Sequence, residues 1–418
     1  MLYSLSILLY TYGIRLASLW NPKARLWTNG RKDWKTRYLQ LMEKARGKKK
    51  IWVHCASLGE FEQGRPVIEE IRKNYPERFI VLSFFSPSGY EIRKNYDQAD
   101  AVVYLPPDTV SNARQFLDII DPELVIFVKY EYWLNYMEQM SNRKIPVLMI
   151  SAIFRPGQVF FKWYGQRWKN LLHKITHFFV QDPRSAELLE GAGVQHYTLS
   201  GDTRFDRVIA IRNKFEPIEA IEKFCGQSRV VVAGSTWEED EEVWDHYSNI
   251  HPETKFIIAP HEVYEGHLRQ IGKLFKDSTR YSSLMNASTN GNAHVLIIDN
   301  IGMLSRLYHY ADICYVGGGF GNGIHNILEA AVHGKPVIFG PEYEKFREAI
   351  DMLEMGAAFT VSSALELEKI ASTLMQDDEL RMNAAQKALQ YVESKAGATD
   401  KIMQYIQEKR LLTSRTNC

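Results

Sequence analysis

The chain has 418 residues, 45% hydrophobic and 24% charged, a length that suits two to three globular domains and a composition that excludes a disordered, collagen-like or multi-span membrane chain. Fifty-one Lys and Arg against 50 Asp and Glu leave a net charge of +1, so no overall field favours nucleic acid as a partner. Cys55, Cys225, Cys314 and Cys418 are scattered without a C-x-x-C pair, which speaks against a disulfide framework or a cysteine zinc site and fits a reducing compartment.

In chain order, residues 1–14 are uncharged and apolar. Arg15 to Lys50 then carries twelve basic and two acidic residues, a local charge of +10 that leaves −9 for the rest. The apolar run is shorter than the roughly 20 residues of a membrane span, and it lacks the basic start and small-residue cleavage site of a signal peptide. An apolar segment followed by basic residues and Trp20, Trp27 and Trp34 predicts docking into the interface of an anionic leaflet. The plainer alternative is a first helix packed on its own domain with a solvated basic face.

Short apolar, β-branched runs follow at Ile51–Ser57, Phe79–Phe85, Ala101–Leu105, Leu124–Tyr130, Val147–Ala152 and His177–Gln181. Helical patterns such as Arg65–Tyr75 separate them. Runs that are apolar throughout, rather than alternating, predict strands buried on both faces of a parallel sheet. A second series comprises Arg229–Ser235, Lys255–Pro260, Val295–Asp299, Ile313–Gly317 and Pro336–Phe339. Two such blocks predict two doubly wound α/β domains, with the ligand in a cleft outside the carboxyl ends of the strands. The stretch Asp206–Ile218 is the expected linker, residues 283–294 a polar loop, and Thr399–Lys409 a final helix that could pack on either domain.

Three strand-to-helix turns carry chemistry. After the first strand come Ser57-Leu58-Gly59-Glu60, with a helix expected near Phe61. Gly59 permits a tight turn, and Glu60 is either a helix cap or a general base aimed at a hydroxyl. Gly234-Ser235-Thr236 precedes an acidic helix start, offering N–H groups and hydroxyls to a phosphate, or an ordinary N-cap. Five glycines lie within Gly317–Gly323, as suits a backbone approached closely by a ligand. No G-K-[ST] follows, so this is not a Walker loop. Asn326 and Glu329 stand three apart on the expected next helix, where they can present a polar pair to a ribose diol.

Together with Ser86-Pro87-Ser88-Gly89, Tyr130-Glu131-Tyr132-Trp133, Ser200-Gly201-Asp202 and His325-Asn326-Ile327-Leu328-Glu329-Ala330-Ala331, these motifs resemble the 3-deoxy-D-manno-octulosonic acid (Kdo) transferases. The resemblance implies a GT-B glycosyltransferase with two Rossmann-like domains, residues 51–207 for the acceptor and 208–398 for the nucleotide sugar. Residues 1–50 would form a membrane-associating segment and 399–418 a carboxyl-terminal helix. It further implies transfer of Kdo from CMP-Kdo to a lipid A precursor at the cytoplasmic face of the inner membrane, with inversion and without cofactor or bound metal.

Carried over by position, Glu60 matches the general base and Glu131 a second acidic residue needed for activity. Ser235, Thr236, His261, Gly318, Gly319, Asn326 and Glu329 match the nucleotide and donor side. Gly59, Ser88 and Gly89 match acceptor or sugar contacts. The family's Pro-Arg-His is here Pro260-His261-Glu262, so the cation meeting the CMP phosphate is open among Lys129, Arg65 and His261. Two other readings stand beside this one: a GT-B transferase using a UDP-sugar and another lipid acceptor, and a non-catalytic, membrane-tethered nucleotide-binding module.

Overall fold

The computed structural model describes residues 2–285 and 293–412. Most of the expected polar loop, and Cys418, therefore lie outside the described residues. The chain divides into two compact units, Met1–Arg207 with Ala396–Cys418, and Val208–Lys395.

The amino-terminal unit is built on seven parallel strands: β1 Lys50–Cys55, β2 Phe79–Phe84, β3 Ala101–Tyr104, β4 Pro122–Val128, β5 Val147–Ala152, β6 His177–Val180 and β7 Tyr197–Leu199. Their order is β3-β2-β1-β4-β5-β6-β7. The chain winds outward from β1, returns to its other side at β4, and winds outward again. Both faces are buried, Trp52, Val81, Val125 and Phe127 on one and Ile51, Val53, Leu82 and Ile126 on the other. That is why these strands read as continuous apolar runs.

The second unit repeats the plan with β8 Val230–Thr236, β9 Lys255–Pro260, β10 Ser278–Arg280, β11 Val295–Ile297, β12 Ile313–Val316, β13 Val337–Phe339 and β14 Ala358–Thr360. The order is β10-β11-β9-β8-β12-β13-β14, so the winding reverses between β8 and β12. The two doubly wound sheets are as expected from the sequence. Strands β7, β10 and β14 were not; each has three residues and lies at or next to no more than one neighbour, at a sheet edge. Runs that short carry no usable periodicity. The expected linker is mostly helix, Thr203–Asn213, and the boundary between units falls inside it.

Three helices, Leu2–Ala17, Pro22–Asn29 and Trp34–Glu43, precede β1. Trp27 and Trp34 are buried, which removes them from the set expected at a membrane interface. Arg31 is buried as well. Its guanidinium lies 3.9 Å from the Trp27 ring and donates to the carbonyls of Trp27 (3.0 Å), Phe85 (2.7 Å) and Leu105 (2.8 Å). Burial pushes its pKa down to about 9. Trp20, by contrast, is 67% exposed, and Leu5, Leu8, Leu9, Leu16 and Leu19 are exposed as well. No helix among the described residues is long and apolar enough to cross a membrane.

The last helix, Ala398–Glu408, belongs to the amino-terminal unit. It buries Ile402, Met403 and Ile406, and stacks Tyr405 on His177 at 4.1 Å. Asp206 anchors its start by accepting from the backbone N–H of Gly397 and Thr399, both at 2.6 Å.

Candidate active site

In an open α/β sheet, ligands gather outside the carboxyl ends of the strands where the winding reverses. In the amino-terminal unit that place is the adjoining ends of β1 and β4. Glu60 follows β1 and Glu131 follows β4. The buried Cys55 thiol at the end of β1 is raised by burial first, then by the charges of Glu60 and Glu131. Both carboxylates therefore bear on the same point.

The helix after β1 runs Leu58–Asn74, three residues earlier than expected, so Glu60 lies within its first turn. Ser57 is the N-cap, and Glu60 at the third position accepts from Ser57 N at 3.1 Å and from the Ser57 hydroxyl. This is a capping box, which satisfies donors at the helix end. Glu60 is only 8% exposed. Gly59 is exposed, and a Cβ there would meet only Ser57 Oγ at 3.7 Å, so the turn does not require glycine for its geometry.

Lys129 follows β4 with a left-handed backbone (φ +72°), and its ammonium lies 5.2 Å from the Tyr130 ring. Glu131 Oε2 comes 3.5 Å from Nε2 of the buried His54, and Trp133 Nε1 donates to the same nitrogen at 3.3 Å. After β2, Ser88 is exposed beside the Ser86 hydroxyl (2.9 Å), at the start of the helix Pro87–Arg93. Gly89 is buried against the Phe84 ring, where a Cβ would collide, so its glycine is explained by packing. Arg65 is engaged by Glu69 at 2.7 Å.

In the second unit the reversal lies between β8 and β12, and the two remaining glycine-bearing turns are the ones that follow these strands. Ser235 is a bulge. Gly234 and Thr236 pair with Ala259 and Pro260 while Ser235 is skipped, with φ +54°. Bulges of this kind re-aim side chains beside binding sites. The Thr236 hydroxyl, expected toward a nucleotide, donates to Glu241 Oε1 at 2.7 Å, and Glu241 Oε2 lies 3.0 Å from His267 Nε2. Burial raises the Glu241 carboxyl to about 6.

Asp240 ties the two turns together. One of its oxygens, Oδ2, accepts from Trp237 N (2.9 Å) and Gly318 N (2.8 Å), and Oδ1 accepts from the Tyr315 hydroxyl (2.6 Å). The mouth of helix Glu238–Ile250 is thus already filled by a side chain of its own first turn. Gly318 has φ +92°, and a Cβ on Gly319 would lie 2.6 Å from Gly340 Cα. The glycines are required by a backbone conformation and by a close backbone crossing.

His261 follows β9 and is exposed, with its N–H on the Thr236 carbonyl at 2.9 Å. Its ring packs against both Trp237 (4.8 Å) and His325 (4.2 Å). Trp237 Nε1 donates to His325 Nε2 at 3.1 Å, and burial together with His261 lowers the His325 pKa to about 4. Asn326 precedes rather than joins the short helix Leu328–Ala331. It still meets Glu329, donating Nδ2 to Oε1 at 3.1 Å. Ser235, Thr236, His261, Gly318, Gly319 and, through His325, Asn326 are therefore gathered around one reversal point. Sequence reading missed His54, Trp237, Asp240 and Gly340. Asp240 was findable as the third helical residue after a turn; the other three act through partners distant in sequence.

The 3-deoxy-D-manno-octulosonic-acid transferase (kdotransferase) family model matches residues 32–207. The chain is 26% identical over 347 residues to the 3-deoxy-D-manno-octulosonic acid transferase of Aquifex aeolicus, covering 81% of this chain and 90% of that protein. It is 27% identical over 357 residues to the enzyme of that name from Rickettsia felis, covering 82% and 76%. A bifunctional glycosyltransferase/methyltransferase of Fusobacterium nucleatum is 28% identical over 343 residues, 78% of this chain and 52% of that longer protein. Among solved structures, the UDP-GlcNAc 2-epimerases of Neisseria meningitidis (TM-score 0.60, 16% identity, 86% of this chain, 100% of that one) and Methanocaldococcus jannaschii (0.53, 15%, 86%, 99%) share the fold. The resemblance read from the motifs holds: residues 32–207 match the Kdo transferase family model, and the chain as a whole is similar to glycosyltransferases of that name, on a fold of the GT-B type.

Proposed function

We propose that this glycosyltransferase moves Kdo from CMP-Kdo to a sugar hydroxyl of a lipid A precursor, with Glu60 as general base. The observation that carries the reading is the placement of Glu60 after β1 and Glu131 after β4, the two strands that flank the winding reversal of the amino-terminal unit. In a single inverting displacement the acceptor hydroxyl gives its proton to one carboxylate, its oxygen bonds to the anomeric carbon, and CMP departs with the bond pair. One base suffices for that step. Glu131 orients sugar or acceptor beside it.

The second unit takes the nucleotide. Its reversal point offers the bulged Ser235, the glycine turn, the His261 and His325 rings, and the Asn326–Glu329 pair for the ribose. Neutral His325 suits a donor to phosphate oxygens rather than a fixed cation. The exposed leucines of Leu2–Ala17 and Trp20, next to the basic stretch, support peripheral docking on the anionic cytoplasmic leaflet, where the lipid acceptor resides.

Glu60→Gln is the decisive variant, because glutamine keeps a capping box but cannot take the proton. With CMP-Kdo and a lipid A precursor, kcat should fall about 10²- to 10⁴-fold while CMP binding persists. Unchanged turnover would remove Glu60 as base. Transfer from a UDP-sugar but not from CMP-Kdo would remove the donor assignment.

A further inference from the structure

A pocket of about 200 Å³ lies within the amino-terminal unit, between the first helix and the turns that follow β2, β3 and β4. Ile7 and Tyr10 of the helix line it together with Phe85, Pro107, Asp108 and Trp133. Its walls offer almost nothing polar. Both Asp108 carboxylate oxygens are engaged, Oδ1 by Tyr136 N (3.0 Å) and Oδ2 by Asn135 N (3.0 Å) and the Tyr3 hydroxyl (2.6 Å). The Trp133 indole N–H is committed to His54. Water held here would lack the polar partners it needs, so the space suits an apolar occupant.

Three rings run in series along this pocket. Tyr10 stacks on Phe85 at 6.3 Å, and Phe85 packs on Trp133 at 4.8 Å. At the outer end Tyr10 is half exposed, next in sequence to the exposed Leu8 and Leu9. At the inner end Trp133 shares a neighbour with Glu131, because Trp133 Nε1 and Glu131 Oε2 both lie within 3.5 Å of His54 Nε2. The ring series therefore connects the apolar surface of the first helix to a carboxylate at the winding reversal.

We propose that this pocket holds a segment of one acyl chain of the lipid acceptor. This rests on the reading of that acceptor as an acylated sugar. A hydrocarbon chain joined to a sugar is the ligand that satisfies both ends. Its chain fills the ring-lined space and leaves beside the exposed leucines, while its head group meets Glu131. A detached apolar molecule would fill the same space without presenting a hydroxyl to the carboxylate. The chain thus orients the disaccharide, and an acceptor without chains is a poor substrate.

Two acceptors test this in detergent solution, where docking on a bilayer plays no part: the acylated precursor and the same disaccharide stripped of its chains. In the wild type the acceptor KM should be about tenfold lower, or more, for the acylated form. Ile7→Trp, which fills the pocket, should raise the KM of the acylated form about tenfold and so bring the two values together. A gap between them that survives Ile7→Trp overturns the proposal, as does a wild type that does not distinguish the acceptors. If Ile7→Trp does not fold, photolabelling of the wild type decides. An acylated precursor with a diazirine within one chain should label Ile7, Tyr10, Phe85 or Trp133, and labelling confined to other residues overturns the proposal. Absence of Kdo transfer to either acceptor would mark a different failure, removing the acceptor assigned above and the chain with it.

Discussion

A carboxylate at the third position of a helix is ordinarily a cap, and Glu60 does cap. Its chemical candidacy comes from its place: it stands on the first turn after β1, at a reversal of winding whose other strand, β4, is followed by a second carboxylate, Glu131. The glycines separate in the same way. Gly319→Ala should destabilise by about 1–3 kcal/mol, because its Cβ would press on the Gly340 backbone rather than on a movable side chain. Gly59→Ala, with open space around it, should stabilise by about 0.5 kcal/mol in denaturant unfolding. Both glycines sit in motif-like turns, and only the surrounding packing distinguishes a required glycine from a tolerated one. His177 gives a pH dependence. Burial lowers its pKa from the model-peptide 6.5 to about 4, so the unfolded chain takes up a proton that the fold refuses between those values. Its contribution to stability is present above pH 6.5 and is lost as the pH falls toward 4. His177→Gln should therefore show a smaller loss of stability between pH 7 and pH 5 than the wild type, measured by urea unfolding at both values.

At the scale of elements, the helix Leu2–Ala17 is apolar on the side it packs and also on the side it leaves open. The basic stretch behind it is not uniformly available: Arg31 is spent inside the fold, under the Trp27 ring. Leu8→Glu with Leu9→Glu changes two exposed side chains and should leave folding intact. It should abolish flotation with anionic liposomes, and equal flotation of this variant would refute docking through this helix. Element identity was readable wherever burial is two-sided, as at Val147–Ala152 and Lys255–Pro260, where the expected and observed bounds agree. It was unreadable where the determinant is not hydrophobic. The bulge at Ser235 and the three-residue edge strands depend on pairing partners, and Trp27 has the same composition-level signature whether it faces lipid or a core. The glycine turn was recognisable as crowded, and Asp240 as a capping position, but the hydrogen bond by which Asp240 links the two turns emerges only from the register of β8 against β12.

The molecule as a whole uses one winding plan twice, and each time the two strands flanking the reversal bear the chemically loaded turns. This was implicit in the two blocks of alternating strands and helices. The place of the last helix was not, because an amphipathic stretch does not state which sheet it covers. Ending the chain at Lys395 should lower the melting temperature of the amino-terminal unit. Ile402, Met403 and Ile406 are each buried there, and such side chains contribute about 1.5–3 kcal/mol apiece. Differential scanning calorimetry of the truncated and full chains tests this, and an unchanged transition would refute it.

The return of Ala398–Glu408 also has a bearing on biosynthesis. The ribosome must release residues 208–395 before the helix that completes the earlier sheet can emerge. At roughly 5–20 residues per second, the nascent amino-terminal half waits roughly 10–40 s with an apolar flank uncovered. Its yield in the cell should accordingly follow translation speed and chaperone supply more closely than that of a polypeptide whose domains each finish in turn.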